Sequence, residues 1–248
     1  MPINLDKVQQ HAPGLVNLAK DATVSLTKHS LENHKANVIM ILDVSGSTSR
    51  LYADGVIQSV ANQAFMMSLA FDDDGEVPLC LFESGSHDAG VMTIENYQGY
   101  IDAEVRKVRM GGTSYADAIS WGIDQAGFRP KKRRFGKSKS GNTSVPTYAL
   151  FVTDGEPTDS RAAIQQQLSE ASNYPIFWQF VGVGGVRFPF LESLDTMQGR
   201  RVDNAGFFAV SDPRTLTNEQ MYNNLLSEYP SWLNTASAAG VLTSVATA

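Results

Sequence analysis

Hydrophobic residues in this chain come in short runs that end abruptly in polar and glycine residues. Val38-Ile39-Met40-Ile41-Leu42 is apolar at every position and stops at Asp43-Val44-Ser45-Gly46-Ser47. An unbroken run of that length reads as a strand buried on both faces, as in a parallel sheet. Residues 77–82, 148–152 and 176–183 read the same way, 206–210 forms a last strand, and 91–94 is open to an antiparallel edge position. Between these runs the apolar period changes. Val56, Val60, Ala64 and Met67 recur near helical spacing, predicting a long helix over 51–71. Further helices are expected at 97–108, 115–126 (with Ser114 as N-cap), 161–172, 188–197 and 221–233. Residues 23–28, TVSLTK, alternate like a short strand, and the segment before Lys20 reads as irregular or partly helical.

Strand–helix alternation of this kind predicts an α/β fold, a doubly wound and mostly parallel central sheet with helices on both faces. No internal repeat or clean linker divides the chain. The expected organisation is an N-terminal extension over 1–29, one domain over 30–235 with a basic insert at 129–146, and a flexible tail over 236–248.

Composition narrows the picture only a little. The chain has 248 residues, 42% of them hydrophobic, and a formal net charge of −6, which argues against general nucleic-acid binding. Its single cysteine, Cys80, rules out an internal disulfide and lies in an apolar strand, so an inert buried thiol is expected. The first residues lack a basic start and an apolar core, and no stretch reaches the roughly 18 apolar residues of a membrane helix. The expectation is a soluble, cytoplasmic protein.

The candidate chemistry sits where strands end. Open α/β sheets bind ligands beyond the carboxyl ends of their strands, near the point where strand order reverses. The loop after 38–42 carries Asp43, Ser45 and Ser47 at alternate positions. Thr113 follows Gly111-Gly112, and Asp154 follows the strand 148–152. One carboxylate with hydroxyls is an all-oxygen set suited to a hard cation that keeps several waters: Mg²⁺ above all, or Ca²⁺ or Mn²⁺. The alternative is that these residues only cap helices and form turns.

Asp43-x-Ser45-x-Ser47, a later Thr and a later Asp resemble the metal-ion-dependent adhesion site of von Willebrand factor A domains. The resemblance implies that Ser45, Ser47 and Thr113 supply hydroxyl oxygens, that Asp43 and Asp154 contact the ion directly or through water, and that a partner protein's Asp or Glu completes the coordination. PGLVNLAKDATVSL, FDDDGEVPL and NNLLSEYPSWL look like the von Willebrand A proteins of bacterial tellurium-resistance and stress-response clusters, a likeness spanning residues 12–233. Thr48 departs from that group, which commonly has Met there. The implied function is a non-enzymatic, metal-dependent protein-interaction module.

Other features carry alternatives. Asp43 with DVSGST superficially resembles the nucleophile loop of haloacid-dehalogenase phosphatases, yet Ser45 stands where that chemistry needs a second carboxylate. Arg129, Lys131, Lys132, Arg133, Arg134, Lys137 and Lys139 form a basic run without an acid, leaving 13 basic residues against 26 acidic ones elsewhere. That run is either a solvated loop or a docking patch for a second acidic partner, with nucleic acid the less favoured ligand. It precedes a strand, so it is expected at the sheet edge opposite the metal. Asp72-Asp73-Asp74-Gly75 lacks the alternate spacing and distal Glu of an EF-hand and reads as an acidic turn. The four histidines show no zinc spacing.

Overall fold

A computed structural model describes residues 3–71, 75–128 and 143–243. Six strands form one sheet: β1 (Asn37–Asp43), β2 (Val77–Phe82), β3 (Ser86–Met92), β4 (Thr147–Thr153), β5 (Ile176–Val183) and β6 (Ala205–Val210). Their order is β3-β2-β1-β4-β5-β6, and only the edge strand β3 runs antiparallel. The chain builds outward from β1 to β3, then returns to place β4 on the other side of β1. Strand order therefore reverses between β1 and β4, which opens a crevice at their carboxyl ends.

Side chains alternate across the pleat, so each central strand feeds two cores. Val38, Met40 and Leu42 pack with Tyr148, Leu150 and Val152 on one face. Ile39 and Ile41 pack with Ala149 and Phe151 on the other. The first face is covered by α1 (Leu5–His11), α2 (Val16–Lys28), α4 (Val56–Phe71), α9 (Asn218–Leu226) and α10 (Tyr229–Ala238). The second is covered by α6 (Tyr115–Gln125), α7 (Arg161–Ala171) and α8 (Pro189–Asp195). Two short helices, α3 (Ser49–Ala53) and α5 (Tyr100–Val105), complete the set. Burial of both faces explains the unbroken apolar runs. Among the described residues, no helix is long and apolar enough to cross a membrane.

Three sequence expectations are corrected. Residues 23–28 are not a strand but the second half of α2, which buries Ala19, Ala22 and Leu26 at helical spacing. The helix expected over 51–71 breaks at Gly55, which adopts φ +73°, and resumes as α4. The helix expected over 221–233 splits into α9 and α10, because Pro230 in the first turn of α10 cannot extend a preceding helix. The chain also stays packed beyond residue 236, with Ala236 and Val241 buried. The N-terminal helices pack through Val8, Ala19, Ala22 and Leu26 into the same core as α4 and α9. Both Asp72-Asp73-Asp74 and the seven basic residues of 129–139 lie outside the described residues.

Candidate metal centre

β1 and β4 end side by side at the reversal of strand order, and each delivers a carboxylate there. Asp43 closes β1 and is fully buried; Asp154 follows β4 directly and is half-buried. The first loop is folded around Asp43. Its Oδ1 accepts from Ser45 N at 2.7 Å, and its Oδ2 accepts from the Thr153 hydroxyl at 2.6 Å. Its carbonyl accepts from Tyr52 Oη at 2.9 Å, which ties α3 to the strand end. Thr48 is also buried, and its hydroxyl donates to the Ser45 carbonyl at 2.8 Å. A Met there has no hydroxyl to do this, so the departure at Thr48 adds an anchor to the serine loop.

From that base the side chains climb toward solvent. Ser45 Oγ lies 3.1 Å from Ser47 Oγ, and Ser47 Oγ donates to Asp154 Oδ1 at 2.8 Å. Ser45 is buried and Ser47 exposed, so the oxygens run from the sheet edge to the surface. The Gly111-Gly112-Thr113 loop lies alongside. Gly111 bridges Ser45 in strand fashion, and its carbonyl accepts from Gly46 N at 3.2 Å. On its other side, Ser84 Oγ accepts from Gly112 N at 2.9 Å, and a side chain at Gly111 would overlap the Glu83 carboxylate. A methyl group here would have to displace the end of the Glu83 side chain. Thr113 stands two residues further on and is buried.

The electrostatics follow from burial. Burial pushes the Asp43 carboxyl up to about 6, against the hydrogen bonds from Thr153 and Ser45, and the charge of Asp154 adds to the rise. Asp154 is also raised, chiefly by burial. Ion pairs among the described residues all lie elsewhere, so no Lys, Arg or His compensates these two acids. One buried and one half-buried carboxylate beside the serine hydroxyls, with no cationic side chain paired to them among the described residues, fit a hard divalent ion in donor chemistry and in charge. Among the described residues no cluster of three or more His, Cys, Asp or Glu is arranged to hold a metal. An ion here would therefore depend on the hydroxyls.

Asp43, Ser45, Ser47 and Asp154 thus form one connected cluster, and Thr113 lies two residues beyond Gly111, which bridges Ser45. Several residues around them carry no motif in the sequence. Thr153 and Tyr52 fix Asp43. The Tyr115 hydroxyl donates to the Gly155 carbonyl and lies 3.4 Å from Thr153 Oγ1. Ser114 is not the side-chain cap of α6; Asp159 takes that place from the β4–α7 loop. Cys80 is buried, with its thiol pushed up to about 12 by burial, as expected of an inert position.

Comparison with known proteins agrees with this architecture. The family model vWA-TerF-like, described as the von Willebrand A domain found in the TerF C terminus, matches residues 35–242. A Bacillus subtilis (strain 168) relative, the uncharacterized protein YcbR, is 27% identical over 227 residues, covering 90% of this chain and 88% of its own. Among solved structures, the SpRpn10 VWA domain superposes with a TM-score of 0.53 at 8% identity, covering 76% of this chain and 94% of that one. A von Willebrand factor type A protein from Catenulispora acidiphila gives 0.48 at 15% identity; the match covers 84% of this chain but 43% of that longer one. With the family model covering most of its length, the chain belongs to the TerF-like von Willebrand factor A family.

Proposed function

We propose that this domain is a metal-dependent interaction module in which Asp43, Ser45, Ser47, Thr113 and Asp154 hold one divalent cation, Mg²⁺ in the first instance. The observation that carries the reading is the pair of buried Asp43 and half-buried Asp154 at the reversal of strand order, with no cationic side chain paired to them among the described residues. Hydroxyl ligands are neutral, so with Asp43 and Asp154 contacting the ion through water rather than directly, it keeps net positive charge among its direct ligands. Such an ion offers a strong position to an external Asp or Glu, supplied by a partner protein. The chain's own residues do the rest: Thr153 and Ser45 N orient Asp43, and Ser47 links both carboxylate loops.

Phosphoryl transfer through Asp43 is disfavoured. A nucleophilic carboxylate must reach its substrate, and both Asp43 oxygens are hydrogen-bonded in a fully buried position. We assign the unit a non-enzymatic role, in the cytoplasm, within a tellurium-resistance or stress-response system. Its helical N-terminal extension is part of the same unit, and the basic run 129–139 serves as a second docking patch.

Mn²⁺ bound in place of Mg²⁺ makes the claim measurable through the relaxation of water protons. Added short peptides bearing Glu should lower the relaxation enhancement by displacing a metal-bound water, and the matching Gln peptides should not. Equal behaviour of the two peptides would sink the proposed partner chemistry.

A further inference from the structure

We propose that Asp159 is a positioning residue of the metal site, acting through Thr113; the inference rests on the metal reading above. Asp159 belongs to the β4–α7 loop that begins at Asp154, yet its carboxylate reaches into the other loop. Oδ1 accepts from Tyr115 N at 3.3 Å. Oδ2 accepts from Ala116 N at 2.7 Å and from the Ser114 hydroxyl at 3.1 Å. The two amides are first-turn donors of α6, which a helix leaves unpaired unless something caps them. The preceding residue completes the grip. Thr158 N donates to the Thr113 carbonyl at 2.9 Å, and Thr158 Oγ1 donates to the same carbonyl at 3.1 Å and accepts from Thr113 N at 3.3 Å.

Apart from the Ser114 hydroxyl, every one of these bonds uses the backbone of Thr113, Tyr115 or Ala116. They leave the Thr113 hydroxyl out, which stays available as a ligand. Thr113 and Asp154 sit on loops 41 residues apart in sequence, and the Thr158-Asp159 clamp makes the two loops one body. The serine loop has no such clamp on Asp159; its support comes from Thr48, Tyr52 and Gly111. The geometry therefore assigns Asp159 a specific task, the placement of the Thr113 oxygen relative to Asp154. Like partners that orient a metal ligand elsewhere, it should matter to affinity without touching the ion.

A double-mutant cycle on the full chain tests this, with Mg²⁺ itself as the probe. Calorimetric affinities are measured for the parent, Asp159→Ala, Thr113→Ala and the double variant, alongside denaturant midpoints of the metal-free proteins. Asp159→Ala should weaken Mg²⁺ binding by about 10- to 100-fold. In the Thr113→Ala background the same substitution should change affinity by no more than about 2-fold, because the oxygen it places is gone. Asp159→Asn retains one acceptor and should fall between; it replaces the alanine variant if that one does not fold. An unchanged affinity in Asp159→Ala, or losses that add in the double variant, overturns the positioning role and leaves the metal site intact. Failure of the parent to bind, or parent-like binding by Thr113→Ala, overturns the metal reading and this inference with it.

Discussion

The hydroxyl of Thr153 donates to Asp43 Oδ2 over 2.6 Å, joining the last residues of β4 and β1. The two strands are neighbours only because the chain returns to β1 after building β2 and β3. The bond thus depends on the reversal of strand order that also opens the crevice. With Ser45 N on Oδ1, it leaves Asp43 held at both oxygens, in one orientation, at the floor of the site.

Thr153→Val keeps shape and volume but strands a buried carboxylate oxygen. Metal-free protein should lose about 1–3 kcal/mol in urea unfolding, the usual penalty for a buried group left without its partner. Mg²⁺ affinity should fall with it. Parent-like stability and affinity would show that the bond is incidental.

Asp43→Asn should separate stability from binding. Burial raises the proton affinity of Asp43, so at pH 7.5 the ionised side chain disfavours the metal-free folded state. The amide removes that charge, and the metal-free variant should melt at or above the parent temperature. Added Mg²⁺ should raise the melting temperature of the parent by mass action and leave the variant unmoved. An equal rise in both proteins would place the ion elsewhere.

Gly111→Ala should damage the site from outside the ligand set. The new methyl overlaps Glu83 Oε2 and crowds Ser84 Oγ at 3.0 Å. Held in place by Ser84 N and His87, the Glu83 carboxylate should resist, costing up to about 1–3 kcal/mol as overpacking does and pushing Gly111 off Ser45. Adding Glu83→Ala should recover most of the loss in stability and in Mg²⁺ affinity. No recovery would mean that Glu83 is not what holds the loop.

A pH effect is expected far from the site, at His34. Its Nε2 lies 2.9 Å from Tyr229 Oη, its ring meets Phe71 edge-on, and burial lowers its pKa from 6.5 to about 4. The folded state favours the neutral ring, so the unfolded chain binds more protons between those values. The contribution is complete above about pH 6.5 and is lost as pH falls toward 4. Between pH 7.5 and 4.5 the parent should lose about 2–3 kcal/mol more stability than His34→Gln. Parallel pH profiles would contradict the assignment.

Much of this was legible in the sequence, for physical reasons that differ by element. The central strands are readable because burial on both faces leaves no polar position to interrupt 38–42 or 148–152 and only the buried Gln179 within 176–183. Helix α2 resembles a strand in sequence because TVSLTK alternates locally, while its burial pattern appears only when Ala19 and Ala22 are included. At the site, Asp43, Ser45 and Ser47 share one short loop and so form a visible pattern. Thr153, Tyr52 and Asp159 act across the tertiary fold; the Asp159–Ala116 bond spans 43 residues. Asp159 precedes α7 and reads locally as part of that helix's start, yet Ser160 caps α7 through Ala163 N while Asp159 caps α6. Only the folded chain distinguishes the two roles.

The central claim is a cation held by hydroxyls beside the buried Asp43 and the half-buried Asp154. Calorimetric titration of Mg²⁺, then Ca²⁺ and Mn²⁺, into metal-stripped protein tests it most directly, with Ser45→Ala/Ser47→Ala titrated in parallel. The account expects one ion per chain in the parent and no measurable binding in the double variant, at unchanged folding. Equal binding by both proteins, or none by the parent, would contradict it.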